Sequence, residues 1–340
     1  MREILTWTGI AGDDEPLLTE RPQPVARTGA AISGVGSAVP ARVVPNAPIA
    51  ERLGVSERWI EDRTGIRERR MLDHDERLGD LAVRAGAAAL EDAGVDAAQL
   101  DMVIVATCTA DEIAPAAAPV VAGLLGATHA GAVDLNLACT GFLAALSMAC
   151  GLVESGRART VLCIGADAMS RVIDHSDRRT AALFGDGAGA AVVGACTGAS
   201  RIGPVVLGAD GAGADAIMIR PGGTVEMDGH DTFKAAVAHL SEVAVEAAAR
   251  AGHDLAAIDH FVFHQANGRI LRAVGERLDL DPERVVDVVG HHGNTSAASI
   301  PLALAEVGAQ GRFAPGDRVL LAAFGAGFAW GGAVIEWGQA

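Results

Sequence analysis

The sequence is poor in cysteine and contains no pairing that signals a disulfide framework or a metal site. It has 5 cysteines, an odd number, with no Cys-x-x-Cys pair and no Cys/His ligand spacing. Such usage favours a reducing, cytoplasmic environment, and no metal is predicted. We predict packing roles for four of the cysteines, which are Cys108, Cys150, Cys163 and Cys196.

Long apolar runs and basic runs are also missing. No stretch of about 18 apolar residues is free of glycine and charge, so no membrane-spanning helix is predicted. The N-terminus lacks the apolar core of a signal peptide. Lys and Arg number 27 against 43 Asp and Glu, a formal net charge of −16, and they form no basic run. A general nucleic-acid-binding function is therefore excluded, and an acidic partner would need a local basic patch.

The abundant residues indicate an α/β protein. Hydrophobic residues make up 50% of the chain. Runs of Val, Ile, Leu and Ala alternate with longer Ala-rich helical patterns, which is typical of buried strands between helices. The predicted strands are 102–107, 131–135, 160–165, 189–194, 261–264, 284–289, 318–323 and 332–336. The predicted helices are 76–94, 114–126, 140–155, 231–251, 267–278 and 297–310.

The chain also contains a weak internal repeat. Two pairs of similar segments share a shift of 158 positions, as residue 101 corresponds to 259 and residue 160 to 318. A third pair, 131–149 and 284–305, is shifted by about 153, which predicts an insertion or deletion nearby. A duplicated α/β unit with pseudo-two-fold symmetry follows, with a site where the strand ends of the two copies meet. We predict halves at 29–200 and 201–340, preceded by an N-terminal extension over 1–28 that is either poorly ordered or a lid.

Cys139 stands between an apolar strand and an apolar, Ala-rich helix, in the segment VDLNLACTGFLAAL. A thiol at a helix N-terminus has a lowered pKa and is a good nucleophile. The following helix is apolar on nearly every face, so we expect the thiol at the floor of a tunnel. A free cysteine also packs well in cores, so a purely structural role stays open.

Other polar groups stand at equivalent junctions. The repeat puts Asn294 at nearly the same place in the second half as Cys139 in the first, and His264 ends a strand. The small residues Gly325, Ala326 and Gly327 would let backbone N–H groups approach a ligand closely, as an oxyanion hole requires. Each has an ordinary alternative: a core histidine, a turn-forming or capping asparagine, and a tight strand connection. His291 and His292 are assigned to a loop without a role.

Six separated motifs, taken in order, resemble those of β-ketoacyl-acyl-carrier-protein synthase III of the thiolase superfamily. They are SERWIEDRTGIRERR (56–70), ACTGF (138–142), SDRRTAALFGDGAGAAVV (176–193), HQANGRI (264–270), GHHGNTSAAS (290–299) and FGAGFAWG (324–331). The resemblance covers roughly Gly29 to Trp337. It implies a thiolase-like fold with five layers, α-β-α-β-α, and a homodimer.

The resemblance also implies an activity and its catalytic residues. An acyl-CoA primer is held on Cys139, and His264 and Asn294 promote decarboxylation of malonyl-acyl carrier protein. The product is a 3-oxoacyl-acyl carrier protein, which begins fatty-acid or polyketide synthesis. The backbone N–H groups of Cys139 and Ala326 match the oxyanion hole. No cofactor is implied, since both acyl-CoA and the malonyl-acyl carrier protein are substrates.

Further positions match the family's binding residues. Trp59 and Arg178 match the pair that stacks on adenine, Arg63 a nucleotide contact, and Phe233 and Asn267 contacts of the pantetheine arm. Arg269 matches a basic position that receives the acidic acyl carrier protein, which meets the need for a local basic patch.

One departure from the family concerns the acyl pocket. Ala114 stands where fatty-acid members often carry an aromatic residue, in a segment that the family uses across the dimer interface. The small side chain suggests a primer larger or more branched than acetyl, and the choice between a fatty-acid starter and a pathway-specific priming enzyme stays open.

Two further readings of the same residues remain. In one, an acyltransferase moves the group on Cys139 to an alcohol or amine, with His264 as general base. In the other, the chain is a non-enzymatic partner subunit with a vestigial site, against which the intact Cys, His and Asn set argues.

Overall fold

The computed structural model describes residues 29–198 and 201–338, so the predicted N-terminal extension lies outside the described residues. The strands are β1 (Gly29–Ala38), β2 (Val43–Pro45), β3 (Glu68–Arg70), β4 (Met102–Ala106), β5 (Gly131–Leu135), β6 (Thr160–Ala168), β7 (Asp186–Cys196), β8 (Val206–Ala209), β9 (Ile217–Ile219), β10 (Val225–Met227), β11 (His260–Phe263), β12 (Arg318–Gly325) and β13 (Ala329–Glu336). The helices are α1 (Asn46–Leu53), α2 (Glu57–Thr64), α3 (Leu78–Ala93), α4 (Ala117–Leu125), α5 (Gly141–Glu154), α6 (Gly229–Arg250), α7 (Gly268–Arg277), α8 (Val289–His292) and α9 (Ser299–Ala309).

Two mixed sheets form the body of the molecule. The first has the order β1-β7-β6-β4-β5, in which β4 runs parallel to β5 and β6 while β7 is antiparallel to β6 and β1. The second has the order β11-β12-β13-β8, with β11 parallel to β12 and the remaining pairs antiparallel. Two antiparallel strand pairs, β2 with β3 and the hairpin β9–β10, lie outside these sheets.

Helices cover both faces of each sheet, which confirms the predicted five layers. Helices α3 and α4 pack their buried apolar residues on the outer face of the first sheet. Helices α5 and α9 fill the space between the two sheets. Helices α6 and α7 cover the outer face of the second sheet. The central pair contacts apolar side chains on both sides, which explains why the sequence of α5 is apolar nearly all round.

The strand β1 was not predicted, because its sequence is rich in glycine. Two of its glycines permit close contact with α3. A Cβ atom on Gly34 would lie 2.4 Å from the backbone nitrogen of Ala93, and one on Gly36 would lie 2.2 Å from that of Ala89. Only residues without a side chain allow the helix and strand to approach this closely.

The internal repeat is confirmed by matching contacts in the two sheets. The carboxylate of Asp101, before β4, accepts the N–H of Thr160 at the start of β6 at 3.1 Å. The carboxylate of Asp259, before β11, accepts the N–H of Arg318 at the start of β12 at 2.8 Å. Both pairs are related by the shift of 158 positions, so the same contact holds the paired strands in each copy.

The predicted strand at 284–289 is wrong. Among the described residues its backbone makes a single bridge, a parallel one between Phe261 and Val285. The segment therefore lies beside β11 as β5 lies beside β4, but it does not form a strand. The N–H of Val286 donates to the carbonyl of Phe261 in β11 at 2.9 Å, and the side chain of Gln265 supplies the next contacts. Its amide nitrogen donates to the carbonyl of Val286 at 3.1 Å, and its amide oxygen accepts the N–H of Val288 at 2.8 Å.

The predicted placement of Cys139 and Asn294 at nearly the same point of the repeat is off by three positions. The short turns Ala138–Thr140 and Ser296–Ala298, which lead into α5 and α9, differ by the same 158 positions as the rest of the repeat. Each turn begins at a residue with positive φ, 44° at Ala138 and 51° at Ser296. Cys139 therefore corresponds to Ala297, and Asn294 corresponds to Asn136.

Candidate active site

One cavity of about 1300 Å³ is lined by residues of both halves. Cys139 reaches it from the turn before α5, His264 from the end of β11, and Asn294 from the loop between α8 and α9. The structure thus brings the three candidate catalytic residues into one space.

None of the helices within 29–198 and 201–338 combines the length and hydrophobicity needed to cross a bilayer.

The pKa of the Cys139 thiol is raised, whereas the sequence predicted that it would be lowered. Burial raises the pKa of the Cys139 thiol to about 12. Hydrogen bonds from Ser296 and from the residue's own backbone N–H favour the thiolate but do not offset the burial. The thiol is therefore protonated at neutral pH before substrate binds, because desolvation outweighs the helix N-terminus.

The glycine at the end of β12 allows the backbone to pass close to the thiol. A Cβ atom on Gly325 would lie 2.9 Å from the Cβ of Cys139 and 3.0 Å from its backbone nitrogen. Ala326 follows directly and lines the same cavity. Gly325 is therefore a position at which only a residue without a side chain allows this close approach.

His264 is 2% exposed and neutral. Burial lowers its pKa to about 4, since the charged form would lose its hydration. Its Nδ1 lies 2.6 Å from the hydroxyl of Ser299, which also accepts the N–H of Gln265 at 3.4 Å. The hydroxyl of Ser299 can donate its one proton to Nδ1. This arrangement leaves Nε2–H as a donor toward the cavity.

Two backbone hydrogen bonds and one side-chain hydrogen bond fix the position of Asn294. Its N–H donates to the carbonyl of Leu183 at 2.8 Å, and its carbonyl accepts the N–H of Gly185 at 3.1 Å. Its Oδ1 accepts the N–H of Ser296 at 2.9 Å. The amide oxygen is therefore engaged, and the NH₂ group is left as the donor.

Sequence reasoning missed Asp167, and the packing role of Cys108 stays a prediction. Asp167 is fully buried at the end of β6, where it accepts hydrogen bonds from Thr107, Thr109 and the backbone of Ala297. It also accepts from the thiol of Cys108, whose sulfur lies 3.4 Å from Oδ1. Asp167 thereby joins the loop after β4 to the turn before α9. A carboxylate at the end of an apolar strand is the signal that would have identified it.

The positions matched to a CoA site line the same cavity, near its mouth. They are Trp59, Arg63, Arg178, Phe233 and Asn267, together with Arg269. Two aromatic rings there each lie beneath an arginine guanidinium. The guanidinium of Arg63 lies 4.4 Å from the ring centre of Trp59, and that of Arg269 lies 5.5 Å from the ring centre of Phe233.

Part of the cavity wall was not anticipated. The hairpin β9–β10 lines one side, and Arg220 in its turn pairs with Glu226. Ala114 does not line the cavity of the single chain, whereas its neighbour Ile113 does and is fully exposed. The role of Ala114 in an acyl pocket remains a prediction about a dimer.

Comparison with known proteins assigns the family. The model of the 3-oxoacyl-[acyl-carrier-protein] synthase III family matches residues 133–211, and the model of its C-terminal part matches residues 248–337. The chain is 47% identical over 317 residues to β-ketoacyl-[acyl-carrier-protein] synthase III 2 of Streptomyces coelicolor, covering 92% of this chain and 96% of that one. The chain belongs to the β-ketoacyl-acyl-carrier-protein synthase III family. The resemblance found in the sequence is thereby confirmed.

Solved structures of the family have the same fold. The synthase III of Aquifex aeolicus superposes with a TM-score of 0.88 at 36% identity and covers 91% of this chain and 100% of its own. The priming β-ketosynthase of the R1128 polyketide biosynthetic pathway superposes with a TM-score of 0.90 at 39% identity, covering 94% of this chain and 99% of its own. The synthase III fold therefore extends over nearly all of the described residues.

Proposed function

We propose that this protein condenses an acyl-CoA primer with malonyl-acyl carrier protein and so begins a fatty-acid or polyketide chain. The observation that carries the proposal is the half-buried thiol of Cys139, which shares one cavity with two neutral hydrogen-bond donors, His264 and Asn294. Neutral donors suit a reaction in which negative charge appears on an oxygen.

The first step loads the primer. The sulfur of Cys139 attacks the thioester carbonyl of acyl-CoA, a new S–acyl bond forms, and CoA leaves with the proton of the thiol. Thioester exchange is nearly isoenergetic, so the primer keeps its reactivity. The backbone N–H groups of Cys139 and Ala326 would hold the oxyanion of the tetrahedral intermediate.

The second step removes CO₂ from the malonyl group. Its C–C bond breaks, and the electrons move onto the thioester oxygen as a thioenolate. Nε2–H of His264 and the amide of Asn294 would stabilise that oxygen. The enolate carbon then attacks the acyl group, and Cys139 departs to give the 3-oxoacyl product.

Residues that line the cavity would bind the CoA of the primer and the pantetheine arm of the acyl carrier protein. Trp59 and Arg178 would hold the adenine, Arg63 the nucleotide, and Phe233 and Asn267 the pantetheine arm. Arg63 covers Trp59 in the free protein, so it would move aside when the base stacks.

Arg269 is exposed on α7 and would meet an acidic carrier protein. A local cation of this kind matters because the net charge of the chain is −16 and opposes a second acidic protein.

A homodimer would complete the site. Strand β5 lies at the edge of the first sheet, where its backbone can pair with another strand. Ile113, Leu124 and Met148 are exposed apolar residues nearby in the sequence. A second copy on this edge would place the segment of Ala114 at the interface, where we propose that it shapes room for a primer larger than acetyl. We propose a cytoplasmic location.

The experiment is product analysis with a panel of acyl-CoAs and malonyl-acyl carrier protein. We expect a 3-oxoacyl-carrier product of the mass set by the best primer, and none from Cys139→Ala. Transfer of the primer to an added alcohol or amine, without decarboxylation, would instead indicate the acyltransferase reading. A panel in which only acetyl loads would contradict the wide pocket.

A further inference from the structure

The two helices that flank the loop carrying Asn294 are joined by a cluster of metal-ligating side chains. His291 and His292 lie on α8, before the loop, and Glu306 lies on α9, after it. Nε2 of His291 is 2.9 Å from one carboxylate oxygen of Glu306, and Nε2 of His292 is 2.6 Å from the other. Both imidazoles therefore contact one carboxylate, and their ring centres lie 4.3 Å apart.

This group has no part in the chemistry described above. Its three ligand atoms lie within 4.8 Å of one another, and it is the one such group of His, Cys, Asp or Glu among residues 29–198 and 201–338. His292 and Glu306 are largely buried, while the side chain of His291 is 40% exposed. The cluster is therefore preformed on one side and open to water on the other.

We propose that His291, His292 and Glu306 form a binding site for a divalent transition-metal ion of the Zn²⁺ class. Two imidazoles and one carboxylate are a donor set that zinc takes in proteins, with water in the remaining position. The present nitrogen–oxygen distances are hydrogen-bond distances. Binding requires the side chains to move apart by a fraction of an ångström and the shared protons to leave.

The surroundings set how tightly the ion is held. When Nε2 of His292 binds a metal, the ring proton must sit on Nδ1, which is buried and has no hydrogen-bond partner. Metal-bound histidines usually donate that proton to an acceptor. The guanidinium of Arg67 packs beside Gly290 and opposes further positive charge, while Glu68 favours it. We therefore expect an exchangeable ion, bound less tightly than in a permanent structural zinc site.

An ion at this position would join α8 to α9 across the loop. That loop contains Asn294 and Ser296, whose mutual contact orients the amide. A bound ion would hold together the two helices that flank the loop and would raise the melting temperature of the protein. The inference depends on the geometry of the cluster and is independent of the proposed reaction.

The test is metal titration of the chelator-treated protein in a Cys139→Ala background, which keeps the active-site thiol from competing for the ion. We expect one equivalent of Zn²⁺ by equilibrium dialysis, a visible absorption spectrum of four-coordinate Co²⁺, and a higher melting temperature with Zn²⁺. His291→Ala and Glu306→Gln should each weaken binding by more than about 10-fold.

The matched control is His74→Ala, which removes an exposed histidine outside the cluster and should change nothing. Circular dichroism establishes that each variant is folded. The proposal is overturned if the chelator-treated protein takes up less than one equivalent, or if the His291 and Glu306 variants bind as the control does.

Discussion

Replacing Asn294 by Asp tests whether this side chain stabilises a developing negative charge. The substitution keeps the shape of the side chain and the oxygen that accepts the N–H of Ser296 at 2.9 Å. It replaces the NH₂ donor by a second oxygen. Asn294 is 7% exposed, so water screens the new charge poorly.

The expected loss follows from two separate effects. Removing one donor from an oxyanion costs about 2.7–4 kcal/mol, or about 10²–10³ in rate, and Asn294→Ala should show this alone. A carboxylate about 4 Å from the thioenolate oxygen adds repulsion of about 4 kcal/mol at an effective dielectric constant of 20, a further factor of about 10³. Asn294→Asp should therefore be much slower than Asn294→Ala.

The assay measures CO₂ release from malonyl-acyl carrier protein by protein already acylated on Cys139, with loading followed by intact mass. Loading should survive in both variants. The rate for the Asp variant should rise as the pH falls, because a protonated carboxyl regains a donor. Equal rates for the Ala and Asp variants, or loss of loading together with decarboxylation, would refute the assigned role of Asn294.

Three further predictions concern the walls of the site and its supporting loop. Gly325→Ala places a methyl group 2.9 Å from the Cβ of Cys139, so acylation should slow at least about 10-fold, with a stability loss of about 1–3 kcal/mol measured by chemical denaturation. Ser296→Gly suits the backbone at φ 51° but removes the hydroxyl that favours the thiolate of Cys139, so alkylation by iodoacetamide at fixed pH should slow about 10–100-fold; an unchanged rate would remove Ser296 from thiol activation. A hydrogen bond to Glu306 raises the pKa of His291 above its ordinary 6.5, so its contribution to stability is complete below pH 6.5 and is lost as the pH rises through the raised value. Melting temperatures in metal-free buffer should accordingly fall more over this range for the wild type than for Glu306→Gln.

The layered fold could be predicted because it depends on apolar periodicity. Every predicted helix appears in the structure within a few residues, as do the predicted strands other than 284–289. That segment has a strand-like sequence, yet a side chain, the amide of Gln265, bonds to the carbonyl of Val286 and the N–H of Val288. A side chain from a distant segment leaves no trace in local hydrophobicity, so the pattern could not exclude a strand.

The repeat predicted the duplication but not its details. Matching the apolar residues of 284–289 to those of β5 shifted the alignment and paired Cys139 with Asn294. The structure aligns the two left-handed residues Ala138 and Ser296 instead. Left-handed backbone at residues other than glycine is invisible in the sequence, so the true register required coordinates.

The electrostatics of the site were predicted only in part. The helix after Cys139 argued for a lowered thiol pKa, but the apolar sequence of that helix also implied deep burial, and burial dominates. The contact between His264 and Ser299 joins residues 35 positions apart, which sequence spacing alone does not show. Convergence of Cys139, His264 and Asn294 on one cavity was predicted by placing all three at the ends of strands, although Asn294 follows α8 and not a strand.

The most direct test of the central claim is a single turnover. Protein acylated on Cys139 is freed of acyl-CoA and mixed with malonyl-acyl carrier protein, and CO₂ and acyl-enzyme are measured together. We predict one CO₂ for each acyl group lost from Cys139, with a 3-oxoacyl-carrier product. Acyl-enzyme that persists without CO₂ release, or that gives its acyl group to another acceptor, would contradict the account.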